Sequence, residues 1–177
     1  MAGTETHYTL PAPKVPTGTR VLIVQAPYYK AIADMQRDGA EAALKAASVA
    51  YEIAEVPGAL EIPTAIAMAE RSELFDGYVA LGCVIRGETT HYETVCNDSS
   101  RGLSLLGLQG LAIGNGILTV ENTKQAEVRA DPAGQNKGGG AAEAALHLIA
   151  LRGRLTPAPR KVGFAPDSEH IQIAGRD

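Results

Sequence analysis

The chain has 177 residues and a formal net charge of −4 at pH 7, with 45 % hydrophobic and 20 % charged side chains. That length suits one domain able to withdraw roughly two-thirds of its unfolded surface from water, and the composition excludes a disordered chain. The acidic balance excludes a broadly basic nucleic-acid binder, and no segment reaches the ~18 consecutive apolar residues of a membrane helix.

Six of the ten prolines lie in the end segments, at Pro11, Pro13, Pro16, Pro157, Pro159 and Pro166. Proline blocks regular pairing and favours extended chain. Residues 1–20 therefore read as an N-terminal arm, 156–177 as a C-terminal tail, and 21–155 as the compact body. The opening MAGTETHYTLPAPKVPTGTR lacks the basic start and apolar run of a secretory signal. Cys83 and Cys96 are too few for a disulfide scaffold and lack metal-finger spacing, which fits a reducing, cytoplasmic setting.

Within the body, Val21–Ala26 reads as a short buried strand and residues 31–47 as a helix. Tyr51–Val56 alternates as a second strand. Pro57-Gly58 turns the chain into an alanine-rich helix over 61–71, with Pro63 tolerated in its first turn. Gly77–Ile85 is apolar throughout, as in a central strand covered on both faces. Thr90 followed by Glu93 matches a capping box opening a helix over 91–107. Residues 111–119 form the fourth strand, followed by helices over 122–130 and 138–153. In the last helix Ala141, Ala144, Leu148 and Leu151 fall on one face. Tryptophan is absent and aromatic residues make up only 5 %, so alanine and aliphatics must fill the core. Strand–helix alternation of this kind predicts a right-handed, three-layer α/β sandwich on a four-stranded parallel sheet.

In open parallel sheets ligands gather at the carboxyl ends of the strands. Four segments meet there: Pro27 to Tyr29, Pro57 to Glu61, Arg86 to His91, and Asn115 to Thr119. His91 reads either as a surface histidine at a helix start or as a proton shuttle that titrates near neutrality. Gly87-Glu88-Thr89-Thr90 leads into a helix whose free N–H groups could hold an anion. Arg129 and Lys137 are either solvated charges or a phosphate grip. Glu61 suits a helix start on dipole grounds alone, or accepts from a hydroxyl. Tyr28 either stacks on a flat heterocycle or covers the sheet end. Neither G-x-G-x-x-G nor a Walker sequence occurs.

Five runs in register, PGALEIP (57–63), GCVIRGETTHYETVC (82–96), GILTVEN (116–122), QAEVRA (125–130) and NKGG (136–139), resemble the 6,7-dimethyl-8-ribityllumazine synthases of riboflavin biosynthesis. The resemblance spans residues 21 to about 153 and implies a flavodoxin-like sandwich. The activity it implies is condensation of 5-amino-6-(D-ribitylamino)uracil with 3,4-dihydroxy-2-butanone 4-phosphate, without metal or organic cofactor. By the same resemblance His91 is the catalytic histidine of the run R-G-x-T-x-H. Arg129 grips the substrate phosphate, with Lys137 nearby and the Glu88-Thr89 amides contributing. Ala59, Leu60 and Glu61 hold the ribityl chain and pyrimidine edge, Cys83, Val84 and Ile85 line the pyrimidine pocket, and Tyr28 supplies its stacking ring. Cys83 need not be a nucleophile on this reading.

The partners implied are the two small-molecule substrates, further copies of the chain in pentamers or assemblies of pentamers, and riboflavin synthase, with no nucleic acid and no membrane. Tyr28, Glu61 and His91 would come from one subunit and Asn115 and Arg129 from the next, with the N-terminal arm pairing with the neighbour's sheet. Three features depart from the family pattern: Asn115 replaces a pocket aromatic, Ala26-Pro27-Tyr28-Tyr29 differs from the usual run, and residues 156–177 extend past the usual end. They leave a non-catalytic flavin- or lumazine-binding relative as the alternative. The APYYK loop lacks the hydroxyls a flavodoxin-like electron carrier needs.

Overall fold

The computed structural model describes Tyr8 and residues 10–156. Four strands, β1 (Arg20–Gln25), β2 (Ala50–Glu55), β3 (Gly77–Ile85) and β4 (Ile113–Val120), alternate with α1 (Lys30–Ala46), α2 (Glu61–Glu70), α3 (His91–Leu108), α4 (Thr123–Ala130) and α5 (Lys137–Leu155). The strands form one parallel sheet in the order β2-β1-β3-β4. Each element falls where its sequence pattern places it, to within two residues at most ends. Residues 10–16 of the expected arm carry no regular structure; the readings made for residues 1–7, 9 and 157–177 lie outside the described residues.

β3 is interior and buried along its first seven residues, as its unbroken apolar run requires. Its alternate side chains feed two cores. Val79 and Leu81 join Val21 and Ile23 of β1 under Leu44 of α1 and Ala142, Ala145, Leu146 and Ile149 of α5. Tyr78 and Ala80 join Leu22 and Val24 under Ile62 and Ile66 of α2 and Val95 and Leu103 of α3. A smaller cluster at the end of the first face seats α4 through Ala126 and Ala130 against Cys83, Leu118 and Val120. These are the three layers expected, helices on both faces of a parallel sheet.

Two local expectations are corrected. The capping box does not form: Thr90 is itself helical and offers no side-chain cap, while the Glu93 carboxylate is drawn away to the Arg86 guanidinium. A charged fork outcompetes a neutral backbone N–H for the same carboxylate. In α5 only Ala141 of the four expected residues is buried; Ala144 is exposed, and Leu148 and Leu151 remain 40 % and 39 % exposed. The core side is Gly138, Ala141, Ala142, Ala145 and Ile149. The buried stripe, which also carries Leu146, sets its glycine and alanines where the backbones come closest. It lies on Gly114 of β4, where a Cβ would stand 1.8 Å from the Ala141 carbonyl oxygen.

That contact generates a stability prediction. Gly114→Ala forces backbone apart from backbone and is expected to cost at least about 3 kcal/mol, the upper end of overpacking. Gly107→Ala, facing open space on α3, is expected to gain about 0.5–1 kcal/mol. Urea unfolding of both variants measures the pair, and an unchanged midpoint for Gly114→Ala contradicts the packing.

Candidate active site in two clefts

Past the carboxyl ends of β1, β2 and β3 lies a cleft of about 440 Å³. Its walls come from the three loops that follow those strands and from the first turns of α3, the place where an open parallel sheet leaves room for a ligand. Tyr28 and Tyr29 follow β1, packed edge to face with ring centroids 5.1 Å apart. Tyr28 is 74 % exposed and stands at the rim, whereas burial, and then the neighbouring Tyr28 and Cys83, raise the phenol pKa of Tyr29.

The loop after β2 is tied by Glu61 N–H donating to the Gly58 carbonyl at 3.2 Å. The Glu61 carboxylate folds back so closely that a Cβ on Gly58 would lie 2.9 Å from Oε2. Glycine at 58 thus lets the exposed carboxylate of Glu61 reach the cleft, beside buried Ala59 and half-buried Leu60. Cys83, Val84 and Ile85 form the wall along β3. Burial pushes the Cys83 thiol up to about 11, so it is a neutral wall group at physiological pH and not a nucleophile. His91 is the first residue of α3 and faces the cleft with its ring accessible, and Thr89 Oγ1 accepts from its backbone N–H at 3.4 Å.

Asn115, Arg129 and Lys137 are elsewhere. They line a second cleft of about 450 Å³ along the free edge of β4, floored by Gly116, Leu118 and Ala141. Asn115 Oδ1 accepts from Ile117 N–H at 3.0 Å, so its amide lies along its own strand and offers its NH2 end outward. Among the described residues Arg129 donates only to the Gln125 carbonyl, at 3.0 Å, and Lys137 opens α5 just after the left-handed N-cap Asn136. Among the described residues neither cation is paired with a carboxylate, which is also true of Lys14, Arg71, Lys124, Arg152 and Arg154; what sets Arg129 and Lys137 apart is that they line one cleft together. Two uncommitted cations beside a helix N-terminus make a cleft built for an anion.

Within one chain, then, Tyr28, Ala59, Leu60, Glu61, Cys83, Val84, Ile85, Thr89 and His91 come together, and Asn115, Arg129 and Lys137 form a separate group. Glu88 is exposed and lines neither cleft. Tyr29 and Thr119, expected only as members of their strand-end segments, line the first and second cleft, and sequence reasoning missed Tyr92 in the first. Adjacency to His91 was the available signal for Tyr92. Among the described residues no group of three or more His, Cys, Asp or Glu side chains could hold a metal ion, and no helix is long and apolar enough to cross a membrane.

Residues 18–153 match the family model described as 6,7-dimethyl-8-ribityllumazine synthase. The chain belongs to that family. A protein of that name from Jannaschia sp. (strain CCS1) is 58 % identical over 156 residues, covering 88 % of this chain and 86 % of the relative. Those from Novosphingobium aromaticivorans and Sphingopyxis alaskensis are 59 % identical over 135 residues and 58 % identical over 132, covering 76 % and 75 % of this chain and 97 % and 94 % of theirs. Both clefts fall inside the span matched to the lumazine synthase family.

The Cys83 environment carries a chemical prediction. Cys83→Ala is expected to keep turnover within about three-fold, the range for a wall contact as opposed to a reacting group. Alkylation of Cys83 in the native protein is expected to be slow at pH 7.5 and to accelerate toward pH 11, because only the thiolate reacts. Peptide mass mapping after a timed iodoacetamide pulse reads this, and fast labelling at pH 7.5 contradicts the burial.

Proposed function

We propose that the two clefts are halves of one active site, completed when the first cleft of one subunit meets the second cleft of the next. The chain is a transferase of the lumazine synthase family. It condenses 5-amino-6-(D-ribitylamino)uracil with 3,4-dihydroxy-2-butanone 4-phosphate to 6,7-dimethyl-8-ribityllumazine, phosphate and two molecules of water. The observation that carries the division is the unpaired Arg129 and Lys137 in a cleft that shares no residue with the one holding His91.

The flat pyrimidine lies along the β3 wall at Cys83, Val84 and Ile85 beneath the Tyr28 ring, with its ribityl hydroxyls toward Glu61. The butanone phosphate is held by Arg129 and Lys137 of the neighbouring subunit, near the Thr89 end of the loop. Its carbonyl thereby meets the pyrimidine amine. The amine attacks the ketone and the carbinolamine loses water. Phosphate then departs from carbon 4 as carbon 3 gives up its proton, the resulting enol becomes a ketone at carbon 3, and the exocyclic ribitylamino nitrogen attacks that ketone, a second water leaving as the ring closes. His91 stands where protons must be taken up and released in each step. Both reactants are intrinsically reactive, so orientation, worth ~7–11 kcal/mol at best, supplies most of the acceleration. A placed acid–base group adds about 10²–10⁴-fold. A protein that only bound riboflavin or lumazine, neither of which carries a phosphate, would have no use for a phosphate grip.

Support for assembly lies in what one subunit leaves uncovered. Leu148, Leu151 and Leu155 of α5 are exposed on the helix that also borders the second cleft, and apolar surface of this kind marks contact with another chain. A pentamer brings the clefts together, and the N-terminal arm adds to the neighbour's sheet by strand addition. The setting is the cytoplasm, where riboflavin synthase takes over the product.

Absorbance-monitored formation of the lumazine from both substrates tests this reading. His91→Ala is expected to lower kcat by about 10²-fold or more with little change in either KM. Arg129→Ala is expected to raise the KM for the butanone phosphate by about ten- to a hundred-fold, the worth of a charge-assisted bond. Tight binding of product with no turnover by the wild-type chain overturns the enzyme reading, and a defect confined to the pyrimidine overturns the role of Arg129.

A further inference from the structure

The loop that delivers His91 is poorly held from within. Its backbone is anchored at one end, where Arg86 N–H donates to the Val120 carbonyl at 2.9 Å, and the next backbone bond is Thr94 N–H to Thr90 at 3.3 Å. Between them, among the described residues, stands only the long 3.4 Å bond from His91 N–H to Thr89 Oγ1. Thr90 gives no cap, and a Cβ on Gly87 would meet nothing within 4 Å. A five-residue loop with so little internal support does not by itself fix a side chain to the few tenths of an ångström that proton transfer needs.

One side chain crosses all the parts around it. Arg86 Nε donates to Glu121 Oε2 at 2.7 Å, just past the end of β4, and Nη1 donates to Glu93 Oε1 in the first turn of α3. Its guanidinium carbon stands 4.1 Å from the centroid of the Tyr92 ring. Tyr92 follows His91 directly and lines the same cleft. The edge of the fork is spent on two carboxylates and its face on a ring, so three elements are clamped by one planar group. Pairing with Arg86 also holds the Glu93 carboxyl below its usual range.

We propose that Arg86 is a positioning residue: its guanidinium clamps the ends of β3 and β4 to the first turn of α3 and thereby sets where His91 and Tyr92 stand in the cleft. This rests on the enzyme reading above and assigns to Arg86 a part in it. Stability is not the reason for the arrangement. Both ion pairs are solvent-exposed, and exposed pairs contribute little to folding. Their effect is orientational. Lysine keeps the charge but has neither the fork nor the flat face, so it serves at most one of the three contacts.

The test uses the assembled enzyme as purified, with Arg86→Ala, Arg86→Lys, His91→Ala and the Arg86→Ala/His91→Ala double variant. Both single changes at Arg86 are expected to lower kcat by about ten- to a hundred-fold, as misplacement by an ångström does. The KM for the butanone phosphate should move by less than about three-fold, because its grip is elsewhere. In the His91→Ala background, removing Arg86 should cost no more than about two-fold, since residues acting as a unit are non-additive. Amide exchange read by mass spectrometry should quicken in the peptide spanning 87–96 and stay unchanged in that spanning 129–141.

Full rescue by lysine, multiplying losses in the double variant, or wild-type kcat in Arg86→Ala each overturns the clamp. If the wild-type chain itself fails to turn over, the enzyme reading falls, and exchange still judges the clamp: an unaltered 87–96 peptide in Arg86→Ala and Arg86→Lys overturns it.

Discussion

At Gly114 the backbone of β4 runs so close to α5 that no side chain fits, a Cβ there falling 1.8 Å from the Ala141 carbonyl oxygen. The same condition recurs where α5 meets α1: a Cβ on Gly138 would lie 2.0 Å from the Gln36 carbonyl oxygen, and one on Gly39 2.1 Å from Asn136 Oδ1. These contacts place the N-terminus of α5 against both the free edge of the sheet and the flank of α1. Two polar anchors complete the seat. Asn136, left-handed at φ 46°, accepts from Gly139 N–H at 3.1 Å, and Gln36 Nε2 donates to the Gly116 carbonyl at 2.6 Å. Lys137 stands beside Arg129 because of this packing. A chain without tryptophan, with alanine and glycine across the helices of this face, can approach backbone to backbone, and the cationic cleft is a product of that closeness.

The architecture was legible because its signals are strong and local. An unbroken apolar run such as Gly77–Ile85, bounded by turn residues, has one comfortable place in an α/β protein, the covered centre of a parallel sheet. Proline-glycine at 57–58 marks where α2 begins, whereas Asn122, read as the first residue of its helix, is the cap of α4, accepting from Gln125 N–H at 3.0 Å. Two readings failed where a local rule met a competitor that sequence spacing does not reveal. Glu93 has the spacing of a capping box, yet Arg86, seven residues earlier, is carried back to it by the fold. In α5 Ala141, Ala144, Leu148 and Leu151 share a face by their spacing, but the buried side is set by Gly114 on another element, which demands a small residue at the point of closest approach and leaves Leu146 and Ile149 to fill the space beside it.

The candidate site was legible in its parts from the residues themselves, while its division into two groups was legible only through the family resemblance. Loops after parallel strands attract chemistry, so Glu61, Cys83 and His91 could be placed at one end of the sheet from strand order alone. Their convergence in one cleft follows, since β1 and β3 are neighbours. Asn115, Arg129 and Lys137 gather just as well, but against an edge. That β4 is the outermost strand is a property of the strand order, and no periodicity within β4 announces it. Glu88 shows the opposite limit: a residue inside the most telling motif that points to solvent.

Charge explains why two clefts suit the proposed reaction better than one. The first is nearly uncharged, with a thiol pushed up to about 11, a phenol raised by burial, an imidazole, and one exposed carboxylate at its rim. It suits a neutral heterocycle with a polyol chain. The second holds two unpaired cations at a helix N-terminus and suits a phosphate ester. Placing the phosphate grip at the sheet edge and the histidine at the strand ends keeps these demands apart within each subunit. On the proposed reading association joins them, so that assembly is part of the catalytic apparatus and not only of its stability.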